Sequence, residues 1–300
     1  MRIVKYIFLI GLLSFASPGM CVQADDRIAT ALVQLKTADG ITLDGVLRQP
    51  SAARSKPGII MVHGYSGNFY SGVMAFLPEE ISRLGFATLT INMRDHDRGP
   101  KKNRFEENCH DIEAAVDEMA RRDYDPLFLF GHSMGTNRVL YYLAETEDPR
   151  IAGLLLTGPP GNLFQWNVRI FGQETATRVL RQASDLVARG KGNEWMLVDL
   201  GPLGKALYTA NHLVSLRGPD TVSDPFENIA RISKPVLIVH GLADRLANPE
   251  ISDRLKPSAG PGIQVTVVKI PGAGHGFRGC EEELVEAIHK WLSRINKKSK

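Results

Sequence analysis

A glycine-flanked serine turn, set between an apolar run and a helical pattern, constrains the fold of this chain more than any other feature. The run Leu127–Phe130 is apolar, the pattern G-x-S-x-G follows at residues 131–135, and apolar residues then recur at helical spacing over Thr136–Glu145. Such a turn forces a strained backbone on the serine and admits only small residues beside it. The pattern predicts a strand, a sharp turn exposing Ser133, and a helix. The simpler alternative is a glycine-rich turn with an ordinary surface serine.

Apolar runs alternate with helical patterns along most of the chain. Near-continuous apolar strands indicate a sheet that is buried on both faces. The predicted fold class is therefore α/β, a mostly parallel central sheet flanked by helices. Two alternating runs around Asp39-Gly40 predict an antiparallel hairpin at its start. The predicted strands are Ala31–Lys36, Ile41–Arg48, Ile59–Val62, Phe86–Asn92, Leu127–Phe130, Ile151–Thr157, Val236–Val239 and Val265–Ile270, and the predicted helices include Asn108–Arg121, Thr136–Glu145 and Glu281–Ile295.

Four motifs in a fixed order resemble the α/β-hydrolase superfamily. They are His-Gly-Tyr at residues 63–65, the serine turn at 131–135, Gly-Leu-Ala-Asp at 241–244 and Gly-Ala-Gly-His-Gly at 272–276. The resemblance extends from about Ala31 to Ile295. The chain is similar to the serine esterases and to the monoglyceride lipase-like and serine aminopeptidase-like members of this superfamily. The order of nucleophile, acid and histidine is the order of that fold, whereas other serine hydrolases arrange these residues differently along the chain.

A long insertion interrupts the alternation between the strand ending at Thr157 and the strand beginning at Val236. Plain connections are rarely this long. An amphipathic helix is predicted within it over Thr175–Ala188, with Gly190 as its stop. The resemblance implies a helical cap at about residues 159–233. The aromatic residues of the cap either line a binding cleft or pack the cap onto the main domain, and they are Phe164, Trp166, Phe171, Trp195 and Tyr208.

The serine hydroxyl needs a base, because it is a poor nucleophile at neutral pH. His275 is the candidate base, since it lies in a glycine-rich loop just after a predicted strand. The other histidines fit less well. His63 belongs to the first loop, His132 sits inside the turn, and His289 lies on the C-terminal helix.

A carboxylate must hold the base in the right tautomer and offset its charge. Asp244 suits this role, because it follows the predicted strand Val236–Val239 by a short turn. The alternative for Asp244 is a helix-capping or turn aspartate. Asp253 and Glu250 are the substitute acids.

Two backbone N–H groups are expected to stabilise the oxyanion that forms during acyl transfer. One is the N–H of Met134, directly after the nucleophile. The resemblance places the other at Tyr65, with Ser66 as the alternative. The residues 92–97 resemble an Arg-x-His loop of the superfamily, whose role there is chiefly structural.

Residues 1–24 have the pattern of a secretory signal peptide, which makes residues 25–300 the expected mature domain. Positive charge precedes the apolar stretch Tyr6–Ala16, and small residues at 22–24 suit cleavage. The expected location is periplasmic or secreted, with no stable membrane span in the mature chain. Cys21 leaves a lipoprotein open as one alternative. An uncleaved anchor is the other alternative.

The mature chain would retain two cysteines, Cys109 and Cys280. In an oxidising compartment this pair can form one disulfide, and the alternative is two free thiols. Cys109 does not resemble a nucleophile, because no tight turn surrounds it.

The composition excludes several classes of function. A formal charge of +3 and a single basic run, at the C-terminus, do not favour nucleic acid as a partner. No phosphate-binding loop, dinucleotide fingerprint or metal-ligand cluster is present, so neither cofactor nor metal is expected. The predicted function is hydrolysis of a small-molecule carboxylic ester through an acyl-enzyme. A peptidase or amidase of the same fold and a catalytically inert binding protein are the alternatives.

Overall fold

The computed structural model describes residues 28–51, 57–199 and 204–298. The predicted signal peptide lies outside these residues. None of the described helices has an apolar stretch long enough to cross a bilayer. The strands are β1 Ile28–Lys36, β2 Thr42–Pro50, β3 Gly58–Val62, β4 Ala87–Ile91, β5 Leu127–His132, β6 Ile151–Thr157, β7 Trp195–Asp199, β8 Lys205–Thr209, β9 Val236–Gly241 and β10 Val265–Ile270. The α-helices are α1 Leu77–Arg83, α2 Asn108–Arg121, α3 Met134–Thr146, α4 Leu163–Phe171, α5 Gln173–Ala188, α6 Ala210–Arg217, α7 Pro225–Arg231, α8 Glu250–Ser258 and α9 Glu281–Lys298, with short 3-10 helices at Gly72–Ala75 and Phe105–Glu107.

Eight strands form one sheet in the order β1-β2-β4-β3-β5-β6-β9-β10. Strand β2 pairs antiparallel with β1 and with β4, and the other neighbours are parallel. The predicted α/β fold is confirmed. The predicted hairpin turn is also present, because Thr37 and Ile41 close it by a backbone hydrogen bond of 2.9 Å and Gly40 has φ 87°. Parallel strands end at the same edge, so the loops that follow β3, β5, β6, β9 and β10 meet there.

The core lies on both faces of the sheet. Alternate residues of β5 point to opposite faces, Leu127 and Leu129 to one and Phe128 and Phe130 to the other. Helices α2 and α3 cover the first face, and α1 and α9 cover the second. This two-sided burial explains why the strand sequences are almost continuously apolar.

The two cysteines lie on opposite sides of the sheet. Cys109 packs against the core on the α2 face, and Cys280 packs against the core on the α9 face. Both are free thiols. Of the two alternatives, the structure has the free pair, because the sheet separates the two sulfur atoms. Burial also raises the pKa of the Cys109 thiol to about 12, so this thiol is a poor nucleophile at neutral pH.

The insertion between β6 and β9 contains the predicted amphipathic helix, as α5, together with α4, α6, α7 and a hairpin that was not predicted. Strands β7 and β8 pair as a two-stranded antiparallel sheet. Their outward residues Trp195 and Leu197 are 51% and 65% exposed, while Val198 and Tyr208 are buried inside the cap. Apolar residues on both faces hide the alternation by which a half-buried strand is recognised. The helical cap is therefore a mixed cap of helices and a hairpin.

Candidate active site

The turn that carries Ser133 has the strained geometry that its sequence predicts. Ser133 joins β5 to α3 with φ 54° and ψ −126°, and its N–H donates to the Thr157 carbonyl at 2.9 Å. A Cβ at Gly135 would lie 2.3 Å from the Val62 carbonyl oxygen. A Cβ at Gly131 would lie 2.5 Å from the Gly135 carbonyl oxygen. The backbone crowding around the turn therefore requires glycine at both flanking positions.

His275 and Asp244 form a hydrogen-bonded pair at the same edge of the sheet. His275 Nδ1 donates to Asp244 Oδ2 at 2.7 Å. The other oxygen of Asp244 accepts the N–H groups of Leu246 and Ala247 at 2.8 and 2.9 Å. Burial raises the pKa of Asp244, but the nearby His240 ring and the hydrogen bond from His275 outweigh it and hold that pKa below its ordinary value. The carboxylate is therefore ionised at neutral pH and fixes the ring of His275.

Close packing brings the serine turn beside this pair. A Cβ at Gly158 would lie 3.2 Å from His275 Nδ1, and the ring centroids of His132 and His275 are 4.8 Å apart. In the described part of the chain, no direct hydrogen bond joins Ser133 Oγ to His275. Catalytic hydrogen bonds are often loose in unliganded enzymes. Because Nδ1 of His275 is engaged by Asp244, Nε2 is the nitrogen left to take a proton.

Sequence reasoning missed a second histidine on the same carboxylate. His240, fully buried at the end of β9, has Nε2 3.3 Å from Asp244 Oδ2, and this contact is electrostatic because its geometry falls short of a hydrogen bond. Its Nδ1 lies 2.7 Å from Ser252 Oγ. A ring that accepts the Ser252 proton at Nδ1 presents its own N–H to Asp244. The sequence signal was its position directly before the Gly-Leu-Ala-Asp motif at residues 241–244.

Buried polar groups fix the loop that follows β3 by hydrogen bonds. His63 Nε2 accepts the Met93 N–H at 3.1 Å, so the proton lies on Nδ1, which donates to the Gly64 carbonyl at 2.8 Å. Burial lowers the pKa of His63 to about 3, which keeps this ring neutral. Arg138 donates to the His63 carbonyl at 3.2 Å and makes two 2.6 Å bonds to Asp95. Sequence reasoning missed Arg138, a charged residue within the apolar pattern of α3.

Two backbone N–H groups belong to residues next to Ser133 in the chain or in space, and these residues are Met134 and Tyr65. Met134 is the first residue of α3, and the first N–H groups of a helix have no partner within it. Gly64 lies against the serine, since a Cβ there would be 3.3 Å from Ser133 Oγ, and Tyr65 follows it directly. Among the described residues, the Tyr65 N–H has no hydrogen-bond partner. The Tyr65 hydroxyl is hydrogen-bonded to the Tyr208 hydroxyl of the cap.

The other predicted residues lie outside this arrangement. Asp253 pairs with Lys269, and Glu250 accepts from Asn248 at 3.2 Å. The structure therefore brings Asp244, and neither substitute acid, onto His275. Arg94 has structural partners, since it binds Asp111 and Asp39.

The cap reaches the acid loop through one aromatic side chain. Trp166 Nε1 donates to the Leu246 carbonyl at 2.9 Å, and its ring meets Phe171 edge-on. Tyr208 is buried, whereas Trp195 faces outward. Over residues 28–51, 57–199 and 204–298, no group of three His, Cys, Asp or Glu side chains is arranged to hold a metal ion.

Comparisons with known proteins show the family and the fold of this chain. The model of the alpha/beta hydrolase family matches residues 59–287. The monoglyceride lipase of Saccharomyces cerevisiae is 23% identical over 268 residues, 79% of this chain and 84% of that protein. Esterase FrsA of Photorhabdus laumondii is 26% identical over 129 residues, 42% of this chain and 31% of that protein. The solved structure of Est1E from Butyrivibrio proteoclasticus with bound ferulic acid shares the fold, with a TM-score of 0.66 at 21% identity over 88% of this chain and 99% of that one. The chain belongs to the alpha/beta hydrolase family.

Proposed function

We propose that this protein is a serine hydrolase that cleaves small-molecule carboxylic esters through an acyl-enzyme on Ser133. The observation that carries the proposal is the 2.7 Å bond from His275 to the buried Asp244, beside a serine at φ 54°. A strained serine, a base and an oriented carboxylate are the parts that nucleophilic acyl transfer needs.

The reaction proceeds in two acyl transfers. Ser133 Oγ attacks the ester carbonyl carbon while His275 Nε2 takes the hydroxyl proton, and the resulting oxyanion accepts the N–H groups of Met134 and Tyr65. The C–O bond then breaks, and the leaving alkoxide receives that proton from His275. Water repeats the attack on the acyl-enzyme with His275 as base, which releases the acid and restores Ser133. Each oxyanion donor contributes about 2.7–4 kcal/mol to the stability of the transition state.

The names of relatives favour esters over amides as substrates. One relative is a monoglyceride lipase and another an esterase, and the solved structure of Est1E holds ferulic acid. Each of the two named activities cleaves an ester. We therefore assign this chain an ester substrate, with a water-derived hydroxyl as the acyl acceptor.

A panel of chromogenic acyl esters of rising chain length, run beside aminoacyl amides, tests the proposal. Wild type should hydrolyse esters, and Ser133→Ala should reduce kcat at least about 10³-fold. Ser184→Ala, the same chemical change on α5, is the matched control and should retain activity. Turnover of amides alone would replace the esterase with a peptidase, and a panel without serine-dependent turnover would favour the inert binding protein.

The triad should also behave as one unit. His275→Ala and the double variant with Ser133→Ala are expected to lose about as much activity as Ser133→Ala alone, because residues that act together are strongly non-additive. Additive losses in the double variant would contradict the assignment.

We also propose that the protein is exported. The support is the positive, apolar and small-residue pattern of residues 1–24. Mass spectrometry of the N-terminal peptide from native cells should find a chain that starts at Asp25. A peptide that retains the apolar stretch, or a lipid on Cys21, would contradict cleavage at that site.

A further inference from the structure

Tyr65 connects the loop after β3, which we call the oxyanion loop (residues 63–67), to the cap. Its backbone lies near the serine turn, because it follows Gly64, where a Cβ would be 3.3 Å from Ser133 Oγ. Its half-buried side chain packs against two groups of buried residues. One group lies inside the cap and includes Tyr208, and the other includes Met134 of the serine turn. At the end of its ring, the Tyr65 hydroxyl is hydrogen-bonded to the Tyr208 hydroxyl.

Tyr208 is itself held firmly within the cap. It is 1% exposed, and its ring stacks on that of His212 with the centroids 5.2 Å apart and the planes 17° apart. The Nδ1 atom of His212 lies 2.6 Å from the Asn103 carbonyl oxygen. The residues before and after Tyr208 on β8 exchange two backbone hydrogen bonds of 2.9 Å with Lys101. The Tyr208 hydroxyl is therefore a fixed point that can hold another side chain in place.

The peptide group between Gly64 and Tyr65 is held on its other side by the main domain. The Gly64 carbonyl accepts a hydrogen bond from His63 Nδ1 at 2.8 Å and one from the Gly67 N–H at 3.2 Å. In a planar trans peptide the N–H points away from the carbonyl, so these bonds orient the Tyr65 N–H. They act on the Gly64 side of the peptide only. The Tyr65 side is held through its ring.

The residue that follows Tyr65 has a strained backbone. Ser66 has φ 50°, a left-handed conformation that side chains other than those of Gly, Asn and Asp rarely adopt. Strained backbone persists only where the surrounding contacts over-determine it. His63 supplies such a contact from the main domain, and Tyr208 supplies another from the cap. Loss of either contact should allow the oxyanion loop to relax.

We propose that Tyr208 is a positioning residue for acyl transfer, which holds the Tyr65 hydroxyl and thereby fixes the Tyr65 N–H where the oxyanion forms. This role rests on the proposed esterase function, with Tyr65 as one of the two oxyanion donors. Tyr208 acts through Tyr65 and not on the substrate. An oxyanion donor is effective because it is in place before the charge develops. The cap therefore completes the oxyanion hole as well as covering the sheet edge.

Removal of the Tyr208 hydroxyl tests this role. Tyr208→Phe keeps the ring and its stacking on His212 but loses the bond to Tyr65. With the chromogenic ester that wild type hydrolyses fastest, kcat should fall about tenfold with KM unchanged, because a misplacement of about 1 Å can cost up to about 10²-fold in rate. Tyr65→Phe removes the same bond from the other side and should lower kcat equally. The double variant should lose no more than either single variant, since all three lack the same bond.

Two ketone inhibitors separate the transition state from the ground state. A trifluoromethyl ketone with the acyl chain of this ester forms a tetrahedral adduct on Ser133, and the oxyanion of the adduct occupies the oxyanion hole. The matching methyl ketone resembles the ground state. In Tyr208→Phe the inhibition constant of the trifluoromethyl ketone should rise about tenfold, and that of the methyl ketone should stay unchanged. A merely structural role of Tyr208 would not separate the two inhibitors.

Tyr142→Phe is the matched control, since it deletes another buried tyrosine hydroxyl. Tyr142 is 1% exposed on α3, and its hydroxyl donates to Asp148 at 2.7 Å. Its loss should lower the Tm, because a buried hydrogen bond is removed. It should leave kcat and both inhibition constants as they are in wild type.

The possible contradictions are distinct. Wild-type kcat in Tyr208→Phe, with turnover still dependent on Ser133, would overturn the role of Tyr208 and leave the esterase proposal intact. Additive losses in the double variant would also overturn it, since the two hydroxyls would then act separately. An equal fall in kcat in Tyr142→Phe would assign the effect to stability alone. A wild type without Ser133-dependent turnover would overturn the proposed function and this role with it.

Discussion

The edge of the sheet that carries Ser133 and the cap above it are built by different means. At the sheet edge, backbone packs on backbone, and a Cβ at Gly135 would meet the Val62 carbonyl oxygen at 2.3 Å. In the cap, the three atoms nearest to a Cβ at Gly192 would all belong to the side chain of Asn211. The residues that need a fixed geometry for chemistry therefore lie in the crowded sheet edge. The cap, which is less crowded by backbone, tolerates more change in sequence and shape.

The ion pairs of the two regions should differ most. Asp95 and Arg138 are 2% and 0% exposed at the side chain, whereas the cap pair of Glu194 and Lys191 is 52% and 55% exposed. Asp95→Asn should cost about 3–5 kcal/mol, because it leaves a buried charge unpaired. Lys191→Ala should cost less than about 1 kcal/mol. Urea unfolding measures both, and equal costs would contradict the comparison.

Glycine substitutions sharpen the same contrast. Gly135→Ala should cost about 1–3 kcal/mol, because its new methyl group meets the Val62 and His63 carbonyl oxygens. Gly192→Ala should cost well under that amount, since the Asn211 side chain can rotate away. The measurement is again the free energy of unfolding. A larger loss at Gly192 would show that the cap is the more rigid region.

Each region also holds a buried neutral histidine that makes stability depend on pH. Burial lowers the pKa of His212 in the cap to about 4 and that of His63 at the sheet edge to about 3. The folded pKa lies below the unfolded one, so the unfolded chain binds more protons and stability falls as pH drops from about 6.5.

Replacing the cap histidine isolates its share. His212→Gln keeps a donor for the Asn103 carbonyl, which His212 Nδ1 meets at 2.6 Å. The slope of stability between about pH 6.5 and 4 should become shallower by up to about 1.4 kcal/mol per pH unit. Unfolding at several pH values measures it, and an unchanged slope would mean that His212 is already charged in the fold.

The histidine behind the acid should affect catalysis more than stability. His240→Gln should lower kcat about tenfold with KM unchanged, because Asp244 loses its second electrostatic partner. Ser252→Ala should lower kcat less, since the ring stays in place. Steady-state kinetics at matched Tm decide the point, and an effect on Tm alone would assign His240 to packing.

The link between the two regions should give the smallest effect. Trp166→Phe keeps an aromatic ring but removes the N–H that meets the Leu246 carbonyl at 2.9 Å. One such bond contributes about 0.5–1.5 kcal/mol. We expect KM to rise less than about threefold with kcat unchanged. A fall in kcat similar to that of His240→Gln would mean that the cap positions Asp244 directly.

The sequence predicts the sheet well because strands that are buried on both faces need apolar residues at nearly every position. Strands Ile151–Thr157 and Val265–Ile270 and helix Asn108–Arg121 have the predicted bounds. The hairpin β7–β8 escaped prediction because its exposed face is apolar too, as Leu197 shows. A strand with apolar residues on both faces lacks the alternation of apolar and polar residues by which a half-buried strand is recognised.

Around the site, motifs predict features formed by adjacent residues and miss contacts between residues that are far apart in the sequence. The turn at Ser133 follows from five adjacent residues, whereas the pair of Asp95 and Arg138 joins residues 43 positions apart. His240 ends an apolar strand, where a histidine is indistinguishable from a core residue until the fold brings Asp244 against it. Tertiary contacts of this kind leave no periodic trace in a single sequence.

Covalent labelling of Ser133 tests the central claim most directly. Wild type, Ser133→Ala and His275→Ala would be treated with a fluorophosphonate and examined by intact mass and peptide mapping. We predict one adduct per wild-type chain on Ser133, no adduct on Ser133→Ala, and strongly slowed labelling of His275→Ala. An unlabelled wild type, or an adduct on another residue, would contradict the assignment of Ser133 as the nucleophile.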